Sequence, residues 1–311
     1  PYHIWISEIM LQQTQVKTVI PYFHKFINSF PSIKSLAKSD LDEVLANWSG
    51  LGYYTRAKNI HRTSKIIHQE YNGSIPKNYE QLIELPGIGE STAGALLTLA
   101  FDKPGIILDG NVKRVLLRIL GNKSPINHSK TQKELKKFAA ELLPKNNFRT
   151  YSQGIMDLGS MICTPINPSC KNCPIQSKCK SSQLNLQNMI PVKISKSQKK
   201  ERNLNWLLIA SKDKVLLKRN INRGIWQNLW VFPEANSLNY EKFNFLEEKE
   251  SLPLIVHNLS HQKLSISTKK YFLENKDRLP IDRRGFVWVN KKESVKMGIP
   301  KPVKTILENH L

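Results

Sequence analysis

The chain has 311 residues, of which 40% are hydrophobic, and its 47 basic against 25 acidic side chains give a formal charge of +22. That length suits two domains, and the hydrophobic content excludes a disordered chain. No apolar run reaches the roughly 18–20 residues of a membrane span and no secretory signal is present, so we expect no membrane partner. The sequence opens at Pro1 directly in a helical pattern, and we therefore expect that preceding residues are missing.

The basic charge is concentrated in the middle of the chain. Residues 101–200 carry a net charge of +13, against +1 for residues 1–100 and +8 for residues 201–311. Such a concentrated positive field favours a polyanionic partner, and nucleic acid is the natural candidate. A generally basic, Lys-rich proteome is the alternative that charge alone leaves open.

Up to residue 182 the hydrophobic pattern predicts helices throughout and no strand. Apolar residues recur at spacings of three and four, as they do over residues 16–27. Ser39, with Asp42 three residues later, predicts a capping box before the helix that begins near Leu41. Further helices are predicted at about residues 53–71, 78–83, 90–101, 111–120, 131–143 and 148–161.

After residue 182 the composition changes. Residues 183–203 are rich in Gln, Asn and Ser and contain a basic cluster, which predicts a linker. Beyond it, short β-rich runs and a Pro-initiated terminal segment predict an α+β domain over residues 204–311. Its predicted elements are strands at 206–210, 215–217, about 264–273 and 286–289, and a helix at about 302–309.

All four cysteines lie within seventeen residues, at Cys163, Cys170, Cys173 and Cys179. Core packing would scatter them, and without a secretion signal disulfides are disfavoured. Four thiolates on one short loop suit a metal centre, and the spacing fits a [4Fe–4S] cluster at least as well as a tetrahedral zinc ion. Structural thiols remain the third reading of the spacing.

The run from Leu85 to Ala95 predicts a tight turn between two helices. Gly87 and Gly89 allow backbone N–H groups to point outward at the start of the second helix, an arrangement that holds a phosphate without reading base sequence. An ordinary joint between two helices is the alternative. The apolar residues on both sides favour a helix–hairpin–helix motif at about residues 80–101.

Two acidic residues stand in unusual surroundings. Asp109 follows three apolar residues at the predicted start of a helix, with Asn111 and Lys113 just beyond, and it suits either an N-cap or a carboxylate at a groove. Glu8 lies among apolar neighbours, which predicts partial burial and a raised pKa. A raised pKa suits a general acid, whereas an exposed Glu on an amphipathic helix is the plain alternative.

Together these segments resemble the adenine DNA glycosylases of the MutY family, within the helix–hairpin–helix DNA glycosylase superfamily. The resemblance covers residues 1–182 and implies a bilobal helical fold, with DNA in the cleft between lobes and a [4Fe–4S] cluster on the four cysteines. It is carried by SEIMLQQTQV (7–16), GLGYYTRAKNIH (50–61), LPGIGESTAGA (85–95), LDGNVKRV (108–115) and MDLGSMIC (156–163).

The resemblance also implies roles for individual residues. Glu8 matches the acid that protonates adenine and then activates water, and Asp109 matches the carboxylate that stabilises the sugar cation. Gln13 and Tyr53 match residues inserted into the duplex, while Gln12 and Gln153 match positions near the adenine pocket. The remaining DNA- or base-contact candidates in this region are Gly87, Gly89, Ser91 and Asn111.

The endonuclease III type is the alternative within the same superfamily. Those enzymes carry a hairpin Lys that forms a Schiff base and drives strand cleavage. This chain has Ser91 at that position. We therefore expect a monofunctional glycosylase with at most weak strand nicking.

The second domain resembles the Nudix-like domain that ends MutY proteins. The resemblance lies in residues 224–234, but no Nudix hydrolase signature follows Glu234, so no nucleotide hydrolysis is expected. Ser260 and His261 match a loop that senses 8-oxoguanine, although Leu259 replaces the family aromatic. Trp226 and Trp230 are expected in the core.

The prediction is therefore an enzyme that removes adenine mispaired with 8-oxoguanine or guanine from double-stranded DNA. We expect a monomer in the cytoplasm of a bacterium, associated with the nucleoid through DNA. A non-catalytic DNA-binding iron–sulfur protein is the remaining alternative, but binding alone does not require Glu8, Asp109 and the Gln12–Gln13 pair at these positions.

Overall fold

The computed structural model describes residues 1–192, 199–234, 247–274 and 285–310. Its contacts divide the chain into two compact units. The first consists of Pro1–Val16, Ser32–Lys34 and Arg62–Lys196, and the second of Lys17–Pro31, Ser35–His61 and Ser197–Leu311. Part of the predicted linker, residues 193–198, lies outside the described residues.

The chain up to residue 192 is helical, as the pattern predicts, and contains no strand. Leu116, Leu117 and Leu135 are fully buried in the core of the first unit, which joins the helices between residues 90 and 141. Two helices continue into π-helical turns, at Leu96–Ala100 and Leu158–Ile162. The α-helices are α1 Tyr2–Leu11, α2 Val16–Ser29, α3 Ile33–Lys38, α4 Leu41–Trp48, α5 Thr55–Glu70, α6 Tyr79–Glu84, α7 Glu90–Ala95, α8 Gly110–Leu120, α9 Ser129–Glu141, α10 Phe148–Asp157 and α11 Lys180–Gln183.

The capping-box prediction at Ser39 is wrong. The N-cap of α4 is Asp40, and no side chain makes a capping hydrogen bond there. The Ser39 hydroxyl instead donates to the carbonyl of Leu36 at 2.7 Å, which ends α3 rather than beginning α4. The sequence pattern therefore assigns Ser39 to the start of α4, whereas its hydroxyl is bonded to the end of α3.

Within the described residues, the second unit contains an α+β domain around a six-stranded sheet. The strand order is β3-β2-β1-β5-β4, with β6 also paired to β2; β1 and β5 are paired in parallel, and the other described pairs are antiparallel. The elements are β1 Lys200–Ser211, β2 Lys214–Arg219, β3 Trp230–Val231, β4 Glu247–Asn258, β5 Gln262–Phe272, β6 Phe286–Val289, α12 Lys291–Ser294 and α13 Lys301–His310.

Strand β1 is central, and from Trp206 to its end it is buried on both faces. Trp206 and Leu208 pack in a cluster that includes Val303 of α13, whereas Leu207 and Ile209 pack on the other face. Trp226 and Trp230 are partly buried against the first cluster, in agreement with the prediction that they are core residues.

Helix α4 belongs to this second unit and is fixed to the C-terminal domain by polar and close apolar contacts. Arg219 of β2 forms two hydrogen bonds with the carboxylate of Asp42, at 2.8 and 3.2 Å. Ser49 donates to the carbonyl of Ile299 at 2.7 Å. A Cβ at Gly298 would lie 2.5 Å from the Cβ of Leu45, so the two backbones are in close contact.

No helix in the described ranges has both the length and the apolar character needed to cross a membrane.

Candidate active site

Glu8 lies on α1, and most of the residues near it on this helix are buried. Trp5, Ile6, Ile9 and Met10 are each at most 2% exposed. Burial and, to a smaller extent, the negative charge of Asp109 together raise the pKa of Glu8 to about 7. The two carboxyl groups therefore lie within electrostatic range of each other, and Glu8 can hold or release a proton near neutral pH.

Asp109 is the N-cap of α8, which confirms the first of the two interpretations that its sequence position allows. Its Oδ1 accepts a hydrogen bond from the backbone N–H of Val112 at 2.7 Å. The preceding residue is fixed as well, because the N–H of Leu108 donates to the hydroxyl of Ser91 at 3.1 Å. The carboxylate is therefore held in one orientation by the start of α8 and by α7.

The hairpin forms between α6 and α7, where the glycines predict it. Gly87 has φ +83°, a conformation that favours glycine, and Gly89 is the N-cap of α7. Buried Leu85 and Ile88 anchor the turn, and Thr63 donates to the carbonyl of Pro86 at 2.8 Å. Both glycines are exposed, and neither of their N–H groups has a hydrogen-bond acceptor within the described part of the chain.

The two glutamines predicted near the adenine pocket, Gln12 and Gln153, each donate a side-chain hydrogen bond. Gln12 donates to the hydroxyl of Thr92 at 3.2 Å, which connects the end of α1 to α7. Exposed Gln153 donates to the carboxylate of Asp157 at 2.9 Å on α10. Gln13 is exposed and has φ +57°, an uncommon conformation for a residue other than glycine.

The four cysteines converge on one loop and are half-buried. Burial raises the pKa of Cys170, and the charges of the other three thiols raise it further, so the sulfurs lie within electrostatic range of one another. Arg118 donates to the Sγ of Cys163 at 3.2 Å, and the Sγ of Cys179 donates to the carbonyl of Arg118 at 3.4 Å. Within the described ranges, no three His, Cys, Asp or Glu side chains are arranged to hold a single metal ion.

Comparison with known proteins decides the family. The chain matches the model of the HhH-GPD superfamily base excision DNA repair proteins over residues 6–141, and the NUDIX domain model over residues 205–309. The adenine DNA glycosylase of Buchnera aphidicola subsp. Baizongia pistaciae is 41% identical, and the alignment covers 99% of this chain and 89% of that protein. This chain belongs to the adenine DNA glycosylase family.

More distant proteins share part of this sequence or its fold. The human adenine DNA glycosylase is 27% identical, with 98% of this chain and 67% of that protein aligned. A thermostable thymine-DNA glycosylase has a TM-score of 0.54 and 28% identity over 59% of this chain and 85% of its own. Endonuclease III in a non-covalent DNA complex has the same fold, with a TM-score of 0.51 at 22% identity over 59% of this chain and 85% of its own. The chain is therefore an enzyme, a DNA glycosylase of base excision repair.

The glycosylase also contains site-supporting residues that the sequence pattern did not reveal. Arg114, only 6% exposed, donates to Asn111 Oδ1 at 3.0 Å and to the carbonyls of Gly159 at 2.6 Å and Cys163 at 2.8 Å. It therefore connects the beginning of α8 to the cysteine loop. The sequence does not predict this connection, because the two backbone carbonyls that Arg114 contacts lie more than forty residues away in the chain.

The remaining predicted contact residues belong to the second unit. Ser260 and His261 form the exposed tip of the hairpin between β4 and β5, with 3.3 Å between the hydroxyl oxygen and Nδ1. Leu259, at the position of the family aromatic, is partly buried against the core of the sheet. Tyr53 precedes α5 and is 44% exposed.

Proposed function

We propose that this glycosylase excises adenine paired with 8-oxoguanine, and less readily adenine paired with guanine, from double-stranded DNA. The observation that carries the proposal is the pair Glu8 and Asp109, in which burial and a neighbouring carboxylate raise the pKa of Glu8 to about 7. A carboxyl group that is protonated near neutrality beside a second acid suits cleavage of a glycosidic bond.

The reaction begins with an adenine flipped out of the stack. Protonated Glu8 donates its proton to a ring nitrogen of the base, and the electrons of the breaking C1′–N bond leave with adenine. Asp109 offsets the positive charge that develops on the sugar. Glu8, now a carboxylate, takes a proton from water as the water oxygen bonds to C1′, which leaves an abasic site and regenerates the acid.

The absence of an amine at Ser91 supports a monofunctional mechanism. The Ser91 hydroxyl accepts the N–H of Leu108 and cannot form a Schiff base with the sugar. Borohydride treatment during turnover should therefore trap little protein on DNA. Strong trapping would instead identify an endonuclease III type of lyase.

The hairpin at Gly87 and Gly89 supports binding of the phosphate backbone, because its outward N–H groups suit an anion. We assign Gln12, Gln153 and Asn111 to the surroundings of the flipped base, and Gln13 and Tyr53 to the duplex beside it. We place the enzyme, as a monomer, in a bacterial cytoplasm.

The four cysteines fit a [4Fe–4S] cluster. The donors are all thiols that lie within electrostatic range of one another, and the buried guanidinium of Arg118 lies against one sulfur and can offset negative charge. When bound, the cluster would hold the loop that carries exposed Lys171 and Lys178. Cys173→Ser should lose the iron and acid-labile sulfide that anaerobically purified protein contains, while Ser177→Ala should retain both.

The preference for 8-oxoguanine over guanine is tested at the tip of the hairpin between β4 and β5. Excision is measured in single turnovers on duplexes with adenine opposite 8-oxoguanine, guanine or thymine. We expect His261→Ala to reduce the preference for 8-oxoguanine over guanine by about tenfold, because an exposed polar contact to the lesion is lost. An unchanged preference would remove Ser260 and His261 from lesion recognition.

A further inference from the structure

Tyr53 is an exposed aromatic residue on a strained backbone. It has φ +49°, in the left-handed region, and it follows Gly50 at φ +102° and Gly52 at φ +78°. A left-handed conformation is strained for a residue that has a Cβ. The surrounding residues must therefore hold the ring of Tyr53 in its outward position.

Arg56 provides that support from the interior of the second unit. It is 8% exposed, and its guanidinium carbon lies 5.4 Å from the ring centroid of Trp48 and 5.4 Å from that of Tyr53. Trp48 is fully buried. The three side chains thus form a continuous series of cation–π contacts from the core to an exposed ring.

The same arginine fixes the backbone on both sides of the peptide that carries Tyr53. Its Nη2 donates to the carbonyl of Gly52 at 3.2 Å, and Trp48 Nε1 donates to that carbonyl at 3.0 Å. The backbone N–H of Arg56 donates to the carbonyl of Tyr53 at 2.9 Å. A planar guanidinium can stack on a ring and donate a hydrogen bond together, whereas the ammonium group of lysine does not stack in this way.

We propose that Arg56 is a positioning residue that presents the Tyr53 ring to the faces of DNA bases, and this inference rests on the proposed role of Tyr53 in the duplex. Arg56 is buried and acts through the tyrosine. Ring–base stacking is the chemistry involved, and it is tolerant of base sequence.

The first test concerns the free protein. Tyrosine ring resonances of ¹³C-labelled protein are compared in wild type, Arg56→Met and Arg56→Lys, after Tyr53→Phe assigns the signal. We expect both Arg56 variants to shift or broaden the Tyr53 signal while the other tyrosine signals stay in place. Lys218→Met is the matched control, because Lys218 also lies over an aromatic ring, Phe286, at 5.7 Å. An unshifted Tyr53 signal in both variants would overturn the proposal.

The second test is a double-mutant cycle with Tyr53→Ala on a duplex with 2′-fluoro-adenosine opposite 8-oxoguanine, which resists hydrolysis. Arg56→Met should weaken binding by about tenfold, which is 1.4 kcal/mol, and should add little to the loss caused by Tyr53→Ala. Fully additive losses would mean that Arg56 acts independently of the tyrosine and would overturn the proposal. Arg56→Lys replaces Arg56→Met if circular dichroism shows that the methionine variant does not fold.

Failure of the underlying function gives a different result. If Tyr53→Ala alone leaves binding unchanged, the tyrosine does not enter the duplex, and the assignment of Arg56 to DNA binding fails with it. The NMR comparison then shows whether the stack itself exists, so a wrong role for Tyr53 and a wrong role for Arg56 are distinguished.

Discussion

Among single residues, the proposed site depends most on Glu8, whose negative charge destabilises the folded state. Glu8 is surrounded by apolar side chains and faces the negative field of Asp109, and together these raise its pKa to about 7. An unfolded chain would leave this pKa near 4.5. Between those two pH values the folded state binds more protons than the unfolded state, so the Glu8 contribution to stability declines as pH rises.

Glu8→Gln should therefore abolish excision and also stabilise the fold. At pH 8 the ionised carboxylate is disfavoured only in the folded state, so its removal should raise the free energy of unfolding by about 1–3 kcal/mol. At pH 4 the gain should nearly vanish, because Glu8 is then mostly protonated in both states. Urea unfolding at the two pH values measures this difference, and an equal effect at both would refute burial as the cause.

The pH dependence of excision follows from the same group. The proposed reaction needs protonated Glu8, so the single-turnover rate should fall as pH rises through about 7 and approach a tenfold loss per pH unit above it. Rates measured from pH 5 to 9 with saturating enzyme give the profile. A rate that does not fall above pH 7 is incompatible with Glu8 as the acid.

At the scale of elements, the position of Asp109 depends on a close crossing of backbones. A Cβ at Gly94 of α7 would lie 2.0 Å from the carbonyl oxygen of Ile106, in the segment that leads to Asp109. Gly159, in the π-helical turn after α10, is similarly close to Asn111, with 2.9 Å to its Cβ. Two glycines thus allow α7 and α10 to pack against the segments on either side of Asp109.

Gly94→Ala should displace the Asp109 segment. We expect excision to fall by at least tenfold and the free energy of unfolding to drop by about 2 kcal/mol or more, because the clash is with backbone. Gly154→Ala on α10 is the control, since its Cβ would meet nothing within 4 Å, and it should stabilise the helix by about 0.5–1 kcal/mol. Equal effects of the two substitutions would contradict the crossing as the cause.

The sequence predicts elements whose pattern is local and misses those that tertiary contacts create. The helix at 111–120 and the strand at 286–289 follow from apolar spacing and are present as Gly110–Leu120 and Phe286–Val289. The sequence pattern does not predict strand β4, because its charged first residues and Pro253 interrupt the apolar pattern of a strand. This strand lies at the edge of the sheet. The raised pKa of Glu8 could be predicted from neighbours in sequence, whereas the contacts of Arg114 could not.

At the scale of the whole molecule, the basic charge accounts for general affinity for DNA. The excess is greatest in residues 101–200, which include the cysteine loop and its exposed lysines. Charge of this kind binds phosphates through the release of counterions, so it adds affinity without adding base specificity. We propose that base specificity comes from the site around Glu8 and from the residues assigned to the mispair.

Affinity for undamaged duplex should therefore fall steeply with salt, by about 10²–10³-fold between about 50 and 200 mM. Replacement of Lys171, Lys178 and Lys180 by Gln should reduce the slope of log affinity against log salt by about 2–3. Lys212→Gln, an exposed lysine in the β1–β2 turn, is the control for a change of charge outside this region. An unchanged slope in the triple variant would exclude the loop lysines from phosphate contact.

The most direct experiment uses excess enzyme and a duplex with one adenine opposite 8-oxoguanine, and the products are separated with and without alkali. We predict a strand break at the adenine only after alkali, and none with Glu8→Gln, which should still bind the duplex. A break without alkali would contradict the monofunctional mechanism. Undiminished cleavage by Glu8→Gln would show that this buried acid does not carry the chemistry.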